Sequence, residues 1–382
     1  MKYCKKCLYP NTKPQLVFDQ DGICSACINY ELKKEIDWER KKQEFKEILD
    51  KHKTQNHSNY DCIIPVSGGK DSHFQTYMIK KEFGLNPLVV NFHPLDQTVL
   101  GRQNLENLKK IGVDCIEFTP NPEIYLKMAR FGLKELGDFQ WPEHIGIFSI
   151  PVQIAVKYNI SLIVWGENPQ LEYGQPTDIN KDTILDREWN EKNGGYFLDK
   201  IKPKDMIKYG FSLNDLRPYI YPSDEEIKRV GVTGVFLGSY FKWNIFKQLD
   251  LVKKIGFKEN DENKEGTYDG WENLDVYFTV FHDYFKFLKY GFGRATDHAS
   301  IEIRYCRISR EEGLELVKQH EGKIPKKYLK QFLEYADLTM NEFLEICDKF
   351  TNKEIFKVDE KQNIVRDEDG EVIKLHYDNF NQ

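Results

Sequence analysis

The sequence predicts an α/β protein built on a doubly wound parallel sheet. Short apolar runs that can form buried strands alternate with longer segments whose apolar residues recur at helical spacing. Strands that alternate with helices pair in parallel, because each helix carries the chain back to the start of the next strand. A ligand is then expected beyond the carboxyl ends of the strands, where the strand order reverses.

The alternation occupies the first half of the chain, after an amphipathic helix at 30–53 and a polar linker at 55–60. The predicted pairs are strand 62–66 with helix 72–83, strand 87–92 with helix 103–111, strand 114–119 with helix 122–136, and helix 144–158 with strand 161–165. Gly84 is expected to end the helix that follows the first strand.

The second half is less regular and mainly helical. It contains a short helix ending at Val230 behind a capping box at Ser223, a strand at 235–243 and a buried aromatic helix at 273–290. Three further helices and a terminal hairpin complete it. They are predicted at 309–320, 325–335 and 340–350, with the hairpin turning at 367–370. We divide the chain into a knuckle and helix (1–54), an α/β domain (55–245) and a substrate or partner region (246–382).

Composition favours a globular protein with a large core. The chain has 382 residues, of which 40% are hydrophobic and 30% charged, and its formal net charge is −6. The negative charge argues against a partner bound through its phosphates, such as tRNA or DNA. No uncharged apolar run approaches the ~18 residues of a membrane span, and no signal peptide opens the sequence. We therefore expect a cytoplasmic protein that binds neither nucleic acid nor membrane.

The most informative segment is Ser-Gly-Gly-Lys-Asp-Ser at 67–72, which joins the first strand to its helix. Gly68 and Gly69 allow a sharp turn and a close approach of the backbone to a ligand. The following helix directs free N–H groups and its positive dipole end to the same place, and Lys70 adds a cation. Ser67 and Ser72 add hydroxyls. These features predict a phosphate-binding loop, although the spacing fits neither a Walker A loop nor a dinucleotide fingerprint.

Two other strand ends carry polar residues or glycine. Asn91 and Phe92 end the second strand, and Gly166 and Glu167 follow the strand at 161–165. A carboxylate just past a strand and facing a triphosphate suits Mg²⁺, so we assign the ion to Glu167 with help from Asp71. The alternative is that Glu167 caps the next helix.

Four of the eight cysteines form two C-x₂-C pairs near the N-terminus. Cys4 and Cys7 form the first pair, and Cys24 and Cys27 the second. This spacing is typical of a structural Zn²⁺ site, and an iron–sulfur cluster is the main competitor. A disulfide or a redox pair fits a reducing compartment less well. The remaining cysteines are expected to be buried core thiols; they are Cys62, Cys115, Cys306 and Cys347.

The SGGKDS segment resembles the PP-loop of the N-type ATP pyrophosphatases, which include GMP synthetase, asparagine synthetase and tRNA-thiolation enzymes. The resemblance implies the HUP-like PP-loop fold. It also implies cleavage of ATP between its α and β phosphates, with adenylation of a carbonyl oxygen that ammonia or sulfur then displaces. Asn91 and Phe92 would lie beside the adenine and ribose.

The ordered combination of the cysteine knuckle, SGGKDS, the WGEN…EYG segment and the late KYGFGRATDHAS segment is more specific. It resembles the N-acetyl sugar amidotransferases of pseudaminic acid, legionaminic acid and O-antigen acetamidino-sugar biosynthesis. The resemblance covers most of the chain and implies conversion of an acetamido group to an acetamidino group, with ATP, Mg²⁺ and Zn²⁺. It also implies ammonia from a HisH-like glutaminase through a HisF-like subunit. The chain has no Cys at position 2 and no G-x-C-x-G segment of its own.

On this reading, we assign catalysis to Lys70, Asp71, Glu167, Lys242 and Arg294. Lys242 and Arg294 would alternatively bind a carboxylate or nucleotide of the substrate, and Arg294 would otherwise be an exposed residue of a loop that ends a helix. The substrate residues are Asn168, Glu172, Tyr173, Trp243 and Asp297, although the aromatic ones suit a core equally well. Two other function classes stay open, a tRNA-thiolating PP-loop enzyme and a non-catalytic ATP-binding regulator.

Overall fold

A computed structural model describes residues 1–54, 59–175, 184–193, 201–260 and 265–375. Five strands form one parallel sheet in the order β3-β2-β1-β4-β5. They are β1 Cys62–Pro65, β2 Pro87–Phe92, β3 Asp114–Phe118, β4 Leu162–Trp165 and β5 Thr233–Phe236. The strand order reverses between β1 and β4, where Ile63 pairs with Ile163. The predicted doubly wound parallel sheet is therefore confirmed.

Sixteen α-helices surround or extend this sheet in the described residues. In the first half they are α1 Ser25–Leu32, α2 Trp38–His52, α3 Lys70–Tyr77, α4 Val99–Lys109, α5 Pro122–Phe131, α6 Trp141–Tyr158, α7 Pro169–Tyr173, α8 Arg187–Asn193, α9 Leu213–Leu216 and α10 Asp224–Val230. In the second half they are α11 Ile245–Lys254, α12 Thr279–Tyr290, α13 Arg294–Arg304, α14 Arg310–His320, α15 Leu329–Ala336 and α16 Met340–Phe350. Within these residues, no helix has both the length and the apolar content that crossing a membrane requires.

The sheet has a separate hydrophobic core on each face, because successive side chains of a strand point to opposite sides. Ile63 of β1 packs with α5, α6 and the aromatic residues of α12, α15 and α16. Its neighbour Ile64 packs on the other face with α2, α4 and α11. The C-terminal helices therefore share a core with the sheet.

Several predicted boundaries agree closely with the structure. Strand β2 and helix α16 match residue for residue, and Gly84 ends the helical segment after α3 with a φ of 65°. A π-helical segment, Met78–Glu82, lies between α3 and that glycine. The capping box at Ser223 opens α10 as predicted. At the C-terminal end, the chain turns at 367–370 as predicted, and isolated antiparallel bridges such as Arg366 with Val372 join its two sides in place of continuous strands.

Other predictions were wrong in ways that bear on function. The strand predicted at 235–243 ends at Phe236, and a 3₁₀ turn, Leu237–Ser239, follows. The helix predicted at 273–290 starts only at Thr279, and the residues before it run across the start of α4. The helix predicted at 30–53 is divided between α1 and α2, and α4 begins four residues before its predicted start at 103. Helices α11 and α13 were not predicted. Residues 55–58 of the predicted linker lie outside the described residues.

Candidate nucleotide-binding site and four-cysteine cluster

A cavity of about 240 Å³ lies at the carboxyl end of β1, beside the reversal of strand order. One wall is the loop at 67–72. The opposite wall is the segment at 271–275, which leads into α12. Gly101 and Asn104 of α4 and Arg294 of α13 complete the lining. The predicted phosphate-binding loop therefore faces a cavity whose other side comes from the C-terminal region.

The backbone of the loop depends on glycine at one position in particular. Gly68 has a φ of 95°, and a Cβ there would lie 2.8 Å from the backbone nitrogen of Leu105. Gly69 has an ordinary φ of −68°. The Ser67 N–H donates to Ser72 Oγ at 3.0 Å, and the Gly69 N–H donates to Ser67 Oγ at 3.2 Å. Both serine hydroxyls therefore fix the turn that starts α3.

Lys70 is the buried cation of the cavity. Its Nζ lies 2.6 Å from Asp71 Oδ2 and 2.8 Å from Glu272 Oε1, and 5.0 Å from the centre of the Trp271 ring. Burial alone would lower the pKa of Lys70, but the nearby carboxylates of Asp71, Glu272 and Glu167 outweigh it and raise that pKa. Lys70 is therefore charged at neutral pH and available to an anion that enters the cavity.

Carboxylates around Lys70 provide oxygen ligands of the kind that Mg²⁺ prefers. Asp71 Oδ1 is buried and accepts no hydrogen bond in the structure. Burial and the charge of Asp71 raise the pKa of Glu167 to about 8, whereas Lys70, His298 and Arg294 outweigh burial and hold the pKa of Glu272 at about 2. A divalent cation would remove the repulsion between Asp71 and Glu167, as the predicted Mg²⁺ site requires. In the described residues, the oxygen atoms of the three carboxylates do not all lie within 4.8 Å of one another, as the ligand atoms of the cysteine cluster do.

Arg294 lies at the first position of α13, not in a loop that ends a helix as one interpretation of the sequence proposed. Its Nε and Nη2 donate to Asp283 of α12 at 3.2 and 3.1 Å. Asn273 Nδ2 also donates to Asp283, at 2.7 Å. The two hydrogen bonds from Arg294 to Asp283 hold the guanidinium at the edge of the cavity.

The segment at 271–275 is fixed against the start of α4. The Thr98 N–H donates to the Asp275 carbonyl at 2.9 Å, and the Thr98 hydroxyl donates to the Leu274 carbonyl. A Cβ on Gly101 would lie 2.5 Å from Asp275 Cα, so only glycine permits this approach. The C-terminal wall of the cavity therefore rests directly on the α/β domain.

The residues predicted to bind adenine and ribose occupy mainly structural positions. Asn91 is buried, and its Nδ2 donates to the Val66 carbonyl at 2.7 Å. Phe92 stacks on Phe118, with ring centres 6.1 Å apart. The Gly166 carbonyl accepts from the Gly238 N–H at 3.0 Å.

Among the predicted substrate residues, Asn168 and Glu172 are engaged within the protein. Asn168 caps α7, and its Nδ2 donates to Ser239 Oγ at 3.0 Å. Glu172 forms a buried ion pair of 2.6 Å with Lys33.

The other three predicted substrate residues, and Lys242, lie in different surroundings. Trp243 is completely buried in the core, and Lys242 beside it is exposed and does not line the cavity. Tyr173 is close enough to Glu167 and Glu272 for burial and those two charges to raise its pKa. Asp297 is buried and pairs with Lys286.

Sequence analysis missed the cavity residues Trp271, Glu272, Asn273 and Asp275. The aromatic pattern of α12 predicts a helix from residue 273, which assigns Asn273 and Asp275 to a buried helix, and no motif marks Trp271 or Glu272. The polar run Glu272-Asn273 and Asp275 ahead of that pattern was the available signal.

The four-cysteine cluster has the geometry of a metal site. Cys4, Cys7, Cys24 and Cys27 are fully buried and free, and their sulfur atoms all lie within 4.8 Å of one another. The Cys4–Cys27 and Cys7–Cys24 separations are 3.9 and 3.6 Å. Four thiolates at ~2.3 Å from a tetrahedral Zn²⁺ would be ~3.8 Å apart, so the residues fit the ion.

The cysteine knuckle is packed against the C-terminal region. Arg310 of α14 donates to the carbonyls of Cys7 and Cys4, at 3.2 and 3.3 Å. On the other side, Ser25 Oγ donates to the Gly174 carbonyl, just beyond α7. The knuckle thus joins the segment after β4 to the helices that follow the cavity wall.

One family of known proteins is similar to the C-terminal region of the chain. Residues 265–367 match the family model described as "LPS biosynthesis protein WbpG-like, C-terminal domain". The matched residues include Glu272 and Arg294 of the cavity. The match covers about a quarter of the chain, so it describes this region and not the whole protein.

Two individual proteins are also similar. An uncharacterised protein of Methanocaldococcus jannaschii, MJ1599, is 33% identical over 105 residues, which is 27% of this chain and 36% of that protein. The chain thus matches little more than a third of the length of this curated relative. The structure of NMN synthetase from Francisella tularensis aligns over 71% of this chain and 94% of its own, at 14% identity and a TM-score of 0.31. A TM-score this low does not establish a shared fold.

Proposed function

We propose that the protein is an ATP-dependent amidotransferase of the PP-loop type that acts on a precursor of a bacterial surface sugar. In this reaction an acetamido group becomes an acetamidino group. One observation carries the proposal: the phosphate-binding loop and the WbpG-like region line the same cavity, to which the latter contributes Trp271, Glu272 and Arg294. A nucleotide on the loop would thus meet residues of a region that is similar to lipopolysaccharide biosynthesis proteins.

The reaction requires activation, because an amide carbon is a poor electrophile and its oxygen a poor leaving group. The amide oxygen of the substrate attacks the α-phosphorus of ATP, and pyrophosphate leaves. Ammonia then adds to the imidate carbon, the C–O bond breaks, and AMP departs with the former amide oxygen. A proton is released, and an amidine remains.

The residues of the cavity suit the first step. Negative charge accumulates around the α-phosphorus, where the ammonium of Lys70 and the first N–H groups of α3 face the cavity. Arg294 is held in place by Asp283 and adds a second cation at the edge of the cavity. Mg²⁺ held by Asp71, Glu167 and Glu272 would neutralise phosphate charge during the displacement.

Ammonia would come from a separate glutaminase partner, as the family resemblance implies. In the described residues, no hydrogen bond joins a histidine to any of the four cysteines outside the cluster, as activation of a thiol nucleophile would require. Burial raises the pKa of the thiols of Cys62 and Cys347 and raises that of Cys115 to about 11, which disfavours the thiolate.

The test is ATP–pyrophosphate exchange in the presence of a panel of N-acetyl sugars, free and nucleotide-linked. We expect exchange that depends on one class of sugar and on Mg²⁺, with AMP as the nucleotide product. Release of ADP and orthophosphate would contradict the PP-loop assignment. Exchange that responds to tRNA and to no sugar would favour a thiolation enzyme instead.

A further inference from the structure

A second cluster of metal-ligating side chains lies outside the nucleotide cavity and the cysteine knuckle. Asp138 precedes α6, His144 is in the first turn of α6, and His282 is in the first turn of α12. One ligand atom from each of the three lies within 4.8 Å of the other two. None of these residues has a role in the proposed reaction.

The geometry joins two imidazoles to one carboxylate. His144 Nδ1 lies 3.1 Å from Asp138 Oδ2, and His282 Nδ1 lies 3.2 Å from Asp138 Oδ1. The two rings meet edge to face with their centres 4.9 Å apart. Ligands at ~2.1 Å from one ion are ~3.0–3.4 Å apart in octahedral or tetrahedral geometry. Each imidazole nitrogen lies at such a separation from one carboxylate oxygen, the two imidazoles being beside different oxygens of Asp138.

The charge of the cluster also favours a cation. Asp138 is buried, its side chain being 10% exposed, and no lysine or arginine of the described residues forms an ion pair with it. Two imidazoles and the Gln140 N–H are its hydrogen-bonding partners. The histidine side chains are 33% and 25% exposed, which leaves the cluster accessible to an ion from solvent.

We propose that Asp138, His144 and His282 form a second metal site, for a divalent transition ion such as Zn²⁺. Two imidazole nitrogens and one carboxylate oxygen form a common ligand set for such ions, and water would complete the coordination. The ion ties the start of α6, a helix of the α/β domain, to the start of α12. His282 is followed in the chain by Asp283, which holds Arg294 at the nucleotide cavity. The proposal does not depend on the amidotransferase reaction.

Cobalt titration tests the proposal on the full-length protein. After dialysis against EDTA, elemental analysis gives the metal retained by the four thiolates, and Co²⁺ is then added. We expect one further equivalent of Co²⁺ to bind with the absorption spectrum of nitrogen and oxygen ligands, which lacks thiolate charge-transfer bands. Zn²⁺ should displace it.

Variants locate the site. The double variant His144→Gln, His282→Gln should lose the additional equivalent, whereas His320→Gln, a histidine of α14 outside the cluster, should keep it. Asp138→Asn preserves the side-chain shape and should weaken Co²⁺ binding at least ~10-fold. It also serves as the test if the double variant does not fold. Wild-type protein that binds no additional Co²⁺, or variants that bind it as the wild type does, would overturn the proposal.

Discussion

Lys70 and Glu272 form an ion pair of 2.8 Å across the nucleotide cavity, although they lie in different halves of the chain. Lys70 belongs to the helix that the phosphate-binding loop begins, and Glu272 to the WbpG-like region. An anion that binds the loop competes with Glu272 for the ammonium of Lys70. If the proposed function is correct, nucleotide binding is coupled to the position of the segment that leads into α12.

Glu272→Gln tests whether this carboxylate holds Mg²⁺ or only neutralises Lys70. The amide keeps the shape of the side chain and removes its charge. If Glu272 contributes to the metal site, the Mg²⁺ concentration for half-maximal pyrophosphate exchange should rise about 10–100-fold. Glu315→Gln, an exposed residue of α14, is the matched control and should behave as wild type. An unchanged Mg²⁺ requirement in Glu272→Gln would mean that Glu272 does not bind the ion and only neutralises the charge of Lys70.

The two glycines of the loop should differ in their response to alanine. At Gly68 the φ of 95° and the close Leu105 backbone make a Cβ unfavourable, so Gly68→Ala should lower the free energy of unfolding by ~1–3 kcal/mol. At Gly69 a Cβ would meet only Ser67 Oγ, at 3.3 Å, so Gly69→Ala should fold with near wild-type stability. Gly69 lines the cavity, so the added methyl group should weaken ATP binding. Urea unfolding and ATP titration measure the two effects, and equal stability of both variants would contradict the description of the turn.

The difference between Gly68 and Gly69 also illustrates what sequence alone could predict. The motif predicted a phosphate-binding turn after β1, because strand, glycines and helix are local features. It could not predict that Glu272 would face that turn, since its approach depends on contacts between distant segments. Arg294 was placed at the same site only through the family resemblance. Gly101, which permits one such contact, lies two residues before the start at 103 that the periodicity predicts for α4.

The same limit explains why the predicted substrate residues do not line the cavity. Trp243 was assigned to the substrate pocket at the end of the predicted strand 235–243, yet it is fully buried and packs edge to face on Phe74 of α3. Glu172 was predicted from its position after β4, but Lys33 of the segment after α1 neutralises it. In both cases the partner comes from a remote part of the chain, and local pattern carries no information about it.

The four-cysteine cluster should hold one Zn²⁺ per chain. Cys24→Ser should lose that zinc and lower the Tm, because Arg310 docks α14 on the backbone of Cys4 and Cys7. Cys306→Ser, at an exposed single cysteine, is the control and should retain the metal. Elemental analysis and thermal unfolding give the result. Iron with a cluster spectrum, or an unchanged zinc content in Cys24→Ser, would exclude the assignment.

Glu167 should make Mg²⁺–ATP binding depend on pH. Burial and Asp71 raise its pKa to about 8, so it is mainly protonated in the free folded protein at pH 7, whereas the unfolded chain has released that proton. The stability that this bound proton contributes is therefore lost as the pH rises from the pKa of Glu167 in the unfolded chain toward its pKa of about 8 in the folded protein. Mg²⁺ requires the carboxylate, so binding at pH 7 should release close to one proton. Calorimetry in buffers of different ionisation enthalpy measures this release, which Glu167→Gln should abolish; equal release by both proteins would rule Glu167 out.

The source of nitrogen distinguishes the amidotransferase from a self-sufficient glutamine enzyme. The isolated chain should form amidine from ATP, an N-acetyl sugar and ammonium at raised pH, where free NH₃ is abundant. Glutamine should support the reaction only after a glutaminase partner is added, because NH₃ must reach the imidate before water does. Mass spectrometry detects the exchange of the amide oxygen for nitrogen. A Cys115→Ser variant should behave as wild type, since the raised pKa of that thiol makes it a poor nucleophile. Efficient use of glutamine by the chain alone would mean that one of its own cysteines is catalytic, and loss of that activity in a cysteine variant would identify which.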